Sequence, residues 1–253
     1  MLREKQLHIM TEGIVLREQP SKDFDSILTL LTKEKGVITA YARGVRKRGA
    51  LRAATELLSC SCFVLFSNRD RYSVDKADLV RLFMGVRSDV EKLALASYFC
   101  ELTMQTAPRE EPAEEYLRLL LNSLHLLDRG KRACQEIKPV YELRLMTMAG
   151  FMPDLIGCQN CRSFEAERMY FIPLSSELLC GRCGGENIPG RVELPKSVLA
   201  AMRHIVYSDK EKLFGFSLSP NGIRYLNQVT EHYVMTQLER KLPTFDFYES
   251  VRD

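Results

Sequence analysis

DSILTLLTKEKGVITAYARG, residues 25–44, contains two short apolar runs separated by a polar turn that ends in glycine. Apolar and polar residues alternate in part along both runs, which is typical of half-buried β-strands. Three further segments have the same texture, namely IMTEGIVLRE, LLSCSCFVLFSN and RYSVDKADLV. About five strands within residues 9–80, with few helical signals, predict a small β-barrel, either the five-stranded OB-fold that often binds nucleic acids or an SH3-like barrel.

Positive charge is concentrated directly after the second run. The stretch YARGVRKRGALRAA, residues 41–54, holds five cations and no acidic side chain. These cations are Arg43, Arg46, Lys47, Arg48 and Arg52, and we call Arg43–Arg52 the basic segment. Residues 44–52 are predicted to be a loop leaving a strand. A charge run is most simply a solvated surface, but guanidinium groups also match pairs of phosphate oxygens, so the segment is a candidate nucleic-acid contact.

Aromatic side chains on the neighbouring predicted strands could stack on bases, as they do in OB-folds. The candidates are Tyr41, Phe63, Phe66 and Tyr72. At least half of them must instead belong to the core of so small a barrel, and the pattern does not say which. Tyr41 precedes the basic segment, and together with the five cations it completes the predicted DNA-binding set.

The periodicity changes from strand to helix after Arg87. Ser88 or Asp89 can cap a first helix, and a second helix ends at Gly130. Further helices are predicted near residues 135–150, over KSVLAAMRHIVY, and from Ser219 onward. The chain is therefore predicted to be an α+β protein, with an OB-fold at residues 1–82 and an α-helical domain at 83–253 that carries a zinc-ribbon-like insert at about 154–188.

Four cysteines form the strongest chemical signal in the chain. Cys158 and Cys161 make one C-x2-C pair, and Cys180 and Cys183 make another after 18 intervening residues. Two such turns can place four thiolates around one zinc ion, and four protein ligands leave no open position, so a structural ion is expected rather than a catalytic one. Four unmetallated core cysteines are the alternative.

Composition sets the remaining limits. The 253 residues are 45% hydrophobic and 27% charged, with a net charge of +3, as in ordinary globular proteins. No apolar run approaches the ~20 residues of a membrane span, and the N-terminus lacks the apolar core of a secretory signal. We expect a cytoplasmic protein with no membrane partner. A disulfide framework belongs to small secreted domains, so the cysteines are expected to be core residues or metal ligands. Cys60 and Cys62 lie two apart in a predicted strand and are expected to share a face as small buried hydrophobes. Cys100 and Cys134 fall in or beside predicted helices.

Two alternatives to DNA binding remain. The chain has no phosphate-binding GxxxxGK[ST] loop and no GxGxxG motif. Asp23 and Asp25 in SKDFDS could serve a metal-dependent nuclease, but turn formation also explains them. A zinc-ribbon adaptor that binds only protein is the other alternative. The favoured interpretation is non-enzymatic.

Several motifs together resemble the bacterial recombination mediator family RecO. They are EGIVL at 12–16, DSILTLLTKEKG at 25–36, ARGVRKR at 42–48, GFMP at 150–153, and the cysteine quartet. The resemblance spans nearly the whole chain in the family's order. It implies an N-terminal OB-fold and an α-helical domain that encloses a zinc-binding insert. The basic segment departs from the family by being shorter than in many relatives, which puts in doubt which of its residues touches DNA.

The same resemblance implies a function and a set of partners. RecO proteins bind single- and double-stranded DNA, anneal complementary strands, and help load RecA onto DNA coated with single-strand-binding protein. The implied protein partners are RecR, the acidic C-terminal tail of single-strand-binding protein, and in some cases RecF and RecA. The resemblance places the pocket for that tail on the helical domain.

Overall fold

A computed structural model describes residues 7–47, 49–68, 71–184 and 188–252. Within these residues the strands are β1 Leu7–Pro20, β2 Ser26–Thr32, β3 Gly36–Ala42, β4 Cys60–Asn68, β5 Arg71–Arg81, β6 Asp154–Cys158, β7 Met169–Ile172, β8 Glu177–Cys180 and β9 Val192–Leu194. The helices are α1 Gly49–Thr55, α2 Met84–Arg87, α3 Val90–Thr106, α4 Glu114–Arg129, α5 Cys134–Met148, α6 Lys196–Tyr207, α7 Pro220–Leu238 and α8 Pro243–Val251. Within this part of the chain, none of the helices combines the length and apolar character that crossing a membrane requires.

The first five strands close into a barrel in the order β1-β2-β3-β5-β4. Neighbouring strands run antiparallel except β3 and β5, which are parallel, and β1 pairs with β4 to complete the closure. Apolar side chains from every strand fill the interior, among them Val15, Leu28, Ile38, Phe63 and Tyr72. This topology confirms the predicted OB-type barrel, and the helices that follow confirm the α+β class.

The basic segment is helical rather than a loop, so that prediction was wrong. Val45–Lys47 forms a 3-10 helix and α1 begins at Gly49, which leaves Arg48 outside the described residues. Val45 is 1% exposed and packs on the barrel core, and the half-buried Leu51 also contacts it. Apolar side chains on one side of a charged stretch favour a helix that lies on the barrel wall.

Cys60 and Cys62 do not share a face, contrary to the prediction from strand alternation. Cys60 is 2% exposed, and burial raises the pKa of its thiol to about 12, whereas Cys62 is exposed. The pairing of β4 with β5 shifts register between Cys60 and Ser61. Such an irregularity breaks the two-residue period, so consecutive side chains can point to the same face. Cys100 and Cys134 are buried.

The helix boundaries follow the predicted caps. The Asp89 side chain accepts a hydrogen bond from the Lys92 backbone N–H at 3.1 Å, and Gly130 ends α4 with a left-handed φ of 61°. Ser219 accepts from Gly222 N–H at 3.2 Å at the start of α7. The short α8 was missed because nine residues give little periodic signal. It packs on α3, where Phe245 and Tyr98 lie 5.2 Å apart between ring centroids.

By compactness, the chain forms two units. We call the described part of residues 1–131 and 242–253 the barrel unit, and residues 132–241 the metal unit. The barrel unit contains β1–β5, α1–α4 and α8, and the metal unit contains α5–α7 and β6–β9. The domain limits 1–82 and 83–253 were predicted from the change of periodicity along the sequence, and the division by compactness does not test them. They stay a prediction.

Candidate nucleic-acid interface and metal centre

The basic segment is fastened to the loop between β1 and β2, residues 21–25, which we call the β1–β2 loop. Asp25 is the centre of this junction. Its Oδ1 accepts a hydrogen bond from Gly44 N–H at 2.7 Å, and its Oδ2 accepts one from the Tyr41 hydroxyl. Arg46 N–H donates to the Phe24 carbonyl at 3.2 Å, and the Arg46 guanidinium donates to the Asp23 carbonyl. Backbone and side chains therefore hold the two segments together.

These hydrogen bonds shift the pKa values of Asp25 and Tyr41. The hydrogen bond from Tyr41, followed by the one from Gly44, lowers the pKa of Asp25 below its ordinary value of 3.8. The same bond raises the pKa of Tyr41. Asp25 is thus a charged anchor of the turn, which agrees with the turn-forming interpretation of SKDFDS. In the described part of the chain, the cysteine quartet is the only cluster of three or more ligand side chains, and Asp23 and Asp25 are not in it.

We expect the Gly44 amide resonance to titrate with a midpoint below 3.8, because its acceptor is the Asp25 carboxylate. A depressed folded-state pKa stabilises the junction above the unfolded pKa, and this contribution is lost as the pH falls through the lower folded value. NMR of the amide across acidic pH measures the midpoint. Tyr41→Phe should raise it, since that variant removes the main cause of the shift. An unchanged midpoint in the variant would contradict this assignment.

The cations of the basic segment differ in whether a carboxylate pairs with them. Arg43, Arg46 and Lys47 are exposed, and none of them forms a salt bridge within the described residues. The Arg43 guanidinium lies 5.9 Å from the centroid of the Tyr41 ring. Arg52 differs, because its Nε lies 3.2 Å from Glu56 Oε1 on the next turn of the chain. Among the described residues, no carboxylate competes with a ligand for Arg43, Arg46 or Lys47, while Arg52 is already paired.

Arg52→Ala should weaken DNA binding less than about threefold, because surface ion pairs are worth roughly 0–1 kcal/mol and this guanidinium already has a carboxylate. Glu56→Gln should instead strengthen binding, by releasing Arg52 to the ligand. Arg87, which lies 2.8 Å from Glu56, holds the pKa of Glu56 below its ordinary range, so the carboxylate is charged at neutral pH. Fluorescence anisotropy with labelled DNA measures both variants, and a larger loss for Arg52→Ala than for Lys47→Ala would contradict the expectation.

The outer face of β1, β2 and β3 borders the basic segment. The register of β1, β2 and β3 places Gln19, Ile27 and Tyr41 in one row across the strands, and Arg17, Thr29 and Thr39 in the next. All six side chains are exposed or half-buried. In OB-folds, the β2–β3 face and the β1–β2 and β4–β5 loops are the parts that bind oligonucleotides. The face, the β1–β2 loop and the basic segment form the candidate nucleic-acid interface.

Only part of the predicted aromatic surface is available. Phe63 and Tyr72 are 0% and 7% exposed and belong to the barrel core. Phe66 is half-buried, with its ring 5.5 Å from that of His8. Tyr41 is half-buried and lies on the interface. Sequence reasoning missed Phe24, which is 43% exposed in the β1–β2 loop, although an aromatic residue between two aspartates in a polar turn was a visible signal.

The four predicted cysteines converge in the metal unit. Their Sγ atoms all lie within 4.8 Å of one another, and those of Cys161 and Cys180 are 3.6 Å apart. Cys158 and Cys180 are buried, Cys161 is exposed, and Cys183 is intermediate. Four sulfur atoms at this spacing could hold one metal ion.

Both C-x2-C turns have the same backbone pattern. Arg162 N–H donates to the Cys158 carbonyl at 2.8 Å, and Gly184 N–H donates to the Cys180 carbonyl at 2.7 Å. Burial opposes ionisation of the Cys158 thiol, but hydrogen bonds from backbone N–H groups, those of Cys161 and Cys180 foremost, lower its pKa to about 6. Preformed donors around sulfur favour the thiolate, which is the form that binds metals. Gly185, which follows Gly184 in the sequence, lies outside the described residues.

The metal centre is supported by a four-stranded sheet with the order β6-β8-β7-β9. Helix α6 holds one edge of the sheet, where Arg203 Nε donates to the Leu155 carbonyl at 2.7 Å. Helix α7 holds the other side, where the Tyr233 hydroxyl donates to the Phe151 carbonyl at 2.6 Å and its ring lies 5.3 Å from that of Phe171. The cysteine turns thus project from a sheet that is anchored on helices.

Comparisons with known proteins match almost the whole chain. The family model described as Recombination protein O N terminal matches residues 7–83, and the model described as Recombination protein O C terminal matches residues 87–245. A DNA repair protein RecO from Acetivibrio thermocellus is 33% identical over 245 residues, which is 96% of this chain and 97% of the relative. One from Symbiobacterium thermophilum is 31% identical over 95% of this chain and 96% of the relative.

Proposed function

Since the chain belongs to the RecO family of DNA repair proteins, with a role in DNA repair and recombination, we propose that it binds single- and double-stranded DNA and anneals complementary strands. We further propose that it helps load RecA onto DNA coated with single-strand-binding protein. It would act at the nucleoid, where its substrate lies, and by non-covalent means.

The exposed cations of the basic segment are the observation that carries this proposal. Arg43, Arg46 and Lys47 lack carboxylate partners in the described part of the chain and border the β2–β3 face of an OB-type barrel. Phosphate contacts supply most of the sequence-independent affinity for nucleic acids, because each bound cation releases counterions. A protein that anneals strands must bind without reading sequence, which agrees with such contacts.

Annealing follows from charge neutralisation. Two complementary strands repel each other through their phosphates, and the repulsion extends over about 10 Å at ~0.1 M salt. Cations that bind one strand reduce its charge, so a second strand can approach closely enough for bases to pair. Base pairing then supplies the free energy that keeps the strands together. The Arg46 guanidinium and the Lys47 ammonium would contact phosphate, and no bond chemistry is required.

The quartet of Cys158, Cys161, Cys180 and Cys183 is proposed to hold one structural zinc ion. Thiolate ligands at C-x2-C spacing select zinc or iron–sulfur centres, and a closed four-cysteine site is typical of zinc. Bound zinc would cross-link the two turns and stabilise the sheet β6–β9. No catalytic role is assigned to it, since all four positions would be filled by protein.

RecR, the acidic tail of single-strand-binding protein, RecF and RecA are proposed as partners on the family's account. RecR and the tail are the direct partners in this proposal, with RecF and RecA as possible further ones. The tail would require a pocket with cations at its rim, which we propose lies on the helical domain. No residues of this chain are assigned to these contacts.

Strand annealing in the presence of single-strand-binding protein tests the proposal. The protein should accelerate duplex formation between complementary oligonucleotides, and the variant with Arg46, Lys47 and Arg48 all changed to Ala should do so much less. Labelled DNA incubated with magnesium provides the second arm, because cleavage would support the nuclease alternative. A gel shift with single-stranded DNA provides the third, because no shift would support a protein-only adaptor.

A further inference from the structure

We propose that Phe24 stacks on an unpaired base and so adds affinity for single-stranded DNA. This rests on the proposed function and deepens it, because it assigns a base contact to a site otherwise described by phosphate contacts. Phe24 lies in the β1–β2 loop and is 43% exposed. Of the aromatic rings at the interface, it is more exposed than the half-buried Tyr41.

Hydrogen bonds fix the backbone of the loop on both sides of Phe24. Ser21 N–H donates to the Asp25 carbonyl at 2.9 Å, and Asp25 N–H donates to the Lys22 carbonyl at 2.7 Å, which closes the turn on both sides of the ring. The Phe24 carbonyl itself accepts from Arg46 N–H at 3.2 Å. These hydrogen bonds order the backbone that carries the ring, so binding costs less conformational entropy than it would in a loop without them.

A cation now covers the face of this ring. The Lys47 Nζ atom lies 3.8 Å from the centroid of the Phe24 ring. Cation–π contacts at exposed sites are weak, whereas stacking of a base on an aromatic ring contributes more. A single strand offers a base and a phosphate together. The base can replace the ammonium on the ring while Lys47 turns to the neighbouring phosphate, so both partners of the original contact keep an interaction.

Duplex DNA cannot make this exchange, because its bases are stacked on one another and their faces are covered. Its phosphates remain available to Arg43 and Arg46. The two kinds of contact therefore differ in the DNA that they bind. The guanidinium groups bind both forms of DNA, and the Phe24 ring adds affinity only where a base is unpaired.

Phe24→Ala separates these contributions. Binding of an oligothymidylate of about 16 nucleotides should weaken about tenfold. Binding of a duplex of the same length should change less than about twofold, and the dependence of either affinity on salt should keep its slope, because no phosphate contact is lost. Phe24→Tyr should retain the affinity of the unchanged protein. Phe247→Ala is the matched control, since Phe247 is a phenylalanine of similar exposure, 51%, that lies on α8 and outside the interface.

Phe24→Trp supplies a direct reading of stacking. The chain contains no tryptophan, so the new indole would be the only one. Its fluorescence should be quenched by oligothymidylate and remain nearly unchanged with duplex. Equal quenching by both forms, or none with the single strand, would overturn the proposal.

Failure of this inference can be told apart from failure of the proposed function. If the unchanged protein binds neither form of DNA, the proposed function fails and the inference fails with it. If the unchanged protein binds both forms and Phe24→Ala binds oligothymidylate equally well, only the inference is overturned. Equal weakening toward single strand and duplex also overturns it, because a base contact should not affect the duplex.

Discussion

Loss of the metal is expected to unfold the sheet β6–β9 of the metal unit. Structural zinc in small peptides binds with about 10–16 kcal/mol, and a whole domain is stable by only about 5–15 kcal/mol. The sheet has short strands, of which β9 has three residues, so an ion that joins the two cysteine turns would supply a large share of its stability. Chelation, or Cys158→Ser, should therefore expose residues 154–194 to protease and lower the temperature of unfolding.

Metal content and limited proteolysis measure this result on the same samples. The unchanged protein should contain one zinc per chain, and Cys158→Ser should contain none. Cys62→Ser is the matched control, because Cys62 is exposed on the barrel and belongs to no cluster of ligands in the described residues. It should retain the metal and the protease resistance. A protein with no metal after growth in zinc-replete medium, yet equally resistant to protease, would contradict the zinc assignment.

Replacing Arg46, Lys47 and Arg48 together by Ala should remove most of the salt-sensitive DNA affinity. Each phosphate contact to a single strand contributes about −0.7 to the slope of log affinity against log salt, so three contacts should flatten it by about 2. At ~50 mM salt the affinity should fall on the order of a hundredfold. Arg46 and Lys47 are exposed and Val45 stays in the core, so folding should be retained.

A second triple variant shows whether position or net charge is responsible. Lys196, Lys210 and Lys241 are exposed lysines of the metal unit, and their replacement by Ala removes the same charge. This variant should keep nearly the full slope. Equal flattening in both variants would mean that the basic segment is not the binding site, and that only the overall charge of the protein matters.

Some of the fold could be predicted because its causes are local. The cysteine quartet was found from its spacing, since two C-x2-C turns bring four thiolates together whatever surrounds them. The caps at Asp89, Gly130 and Ser219 depend on one side chain or one backbone angle. Gly130 and Ser219 were located correctly, and Asp89 was one of the two residues predicted for the first cap. The barrel was predicted from alternation, which β2 shows clearly in its burial.

Other features depend on contacts between distant residues. The outward turn of Cys62 follows from a register shift against β5, a separate strand. Helix α5 was predicted, but not that Lys138 would be fully buried on it. Its ammonium lies 2.9 Å from Glu142 Oε1, and Thr230 of α7 donates to the same carboxylate at 2.6 Å. A charged residue is buried only where partners compensate its lost hydration.

The amino-acid sequence by itself determined the chemistry that the chain carries: strand-forming alternation, helix caps, a cluster of cations, and four thiols at ligand spacing. These follow from residue types and from neighbours along the chain. Only the tertiary structure decided which of these groups are available, placing Phe24 and Lys47 together at the surface while Phe63 and Tyr72 fill the core. The reason is that the burial and pairing of a side chain depend on which residues it contacts across the barrel. Strand register determines these contacts, and the distance between two residues along the chain does not.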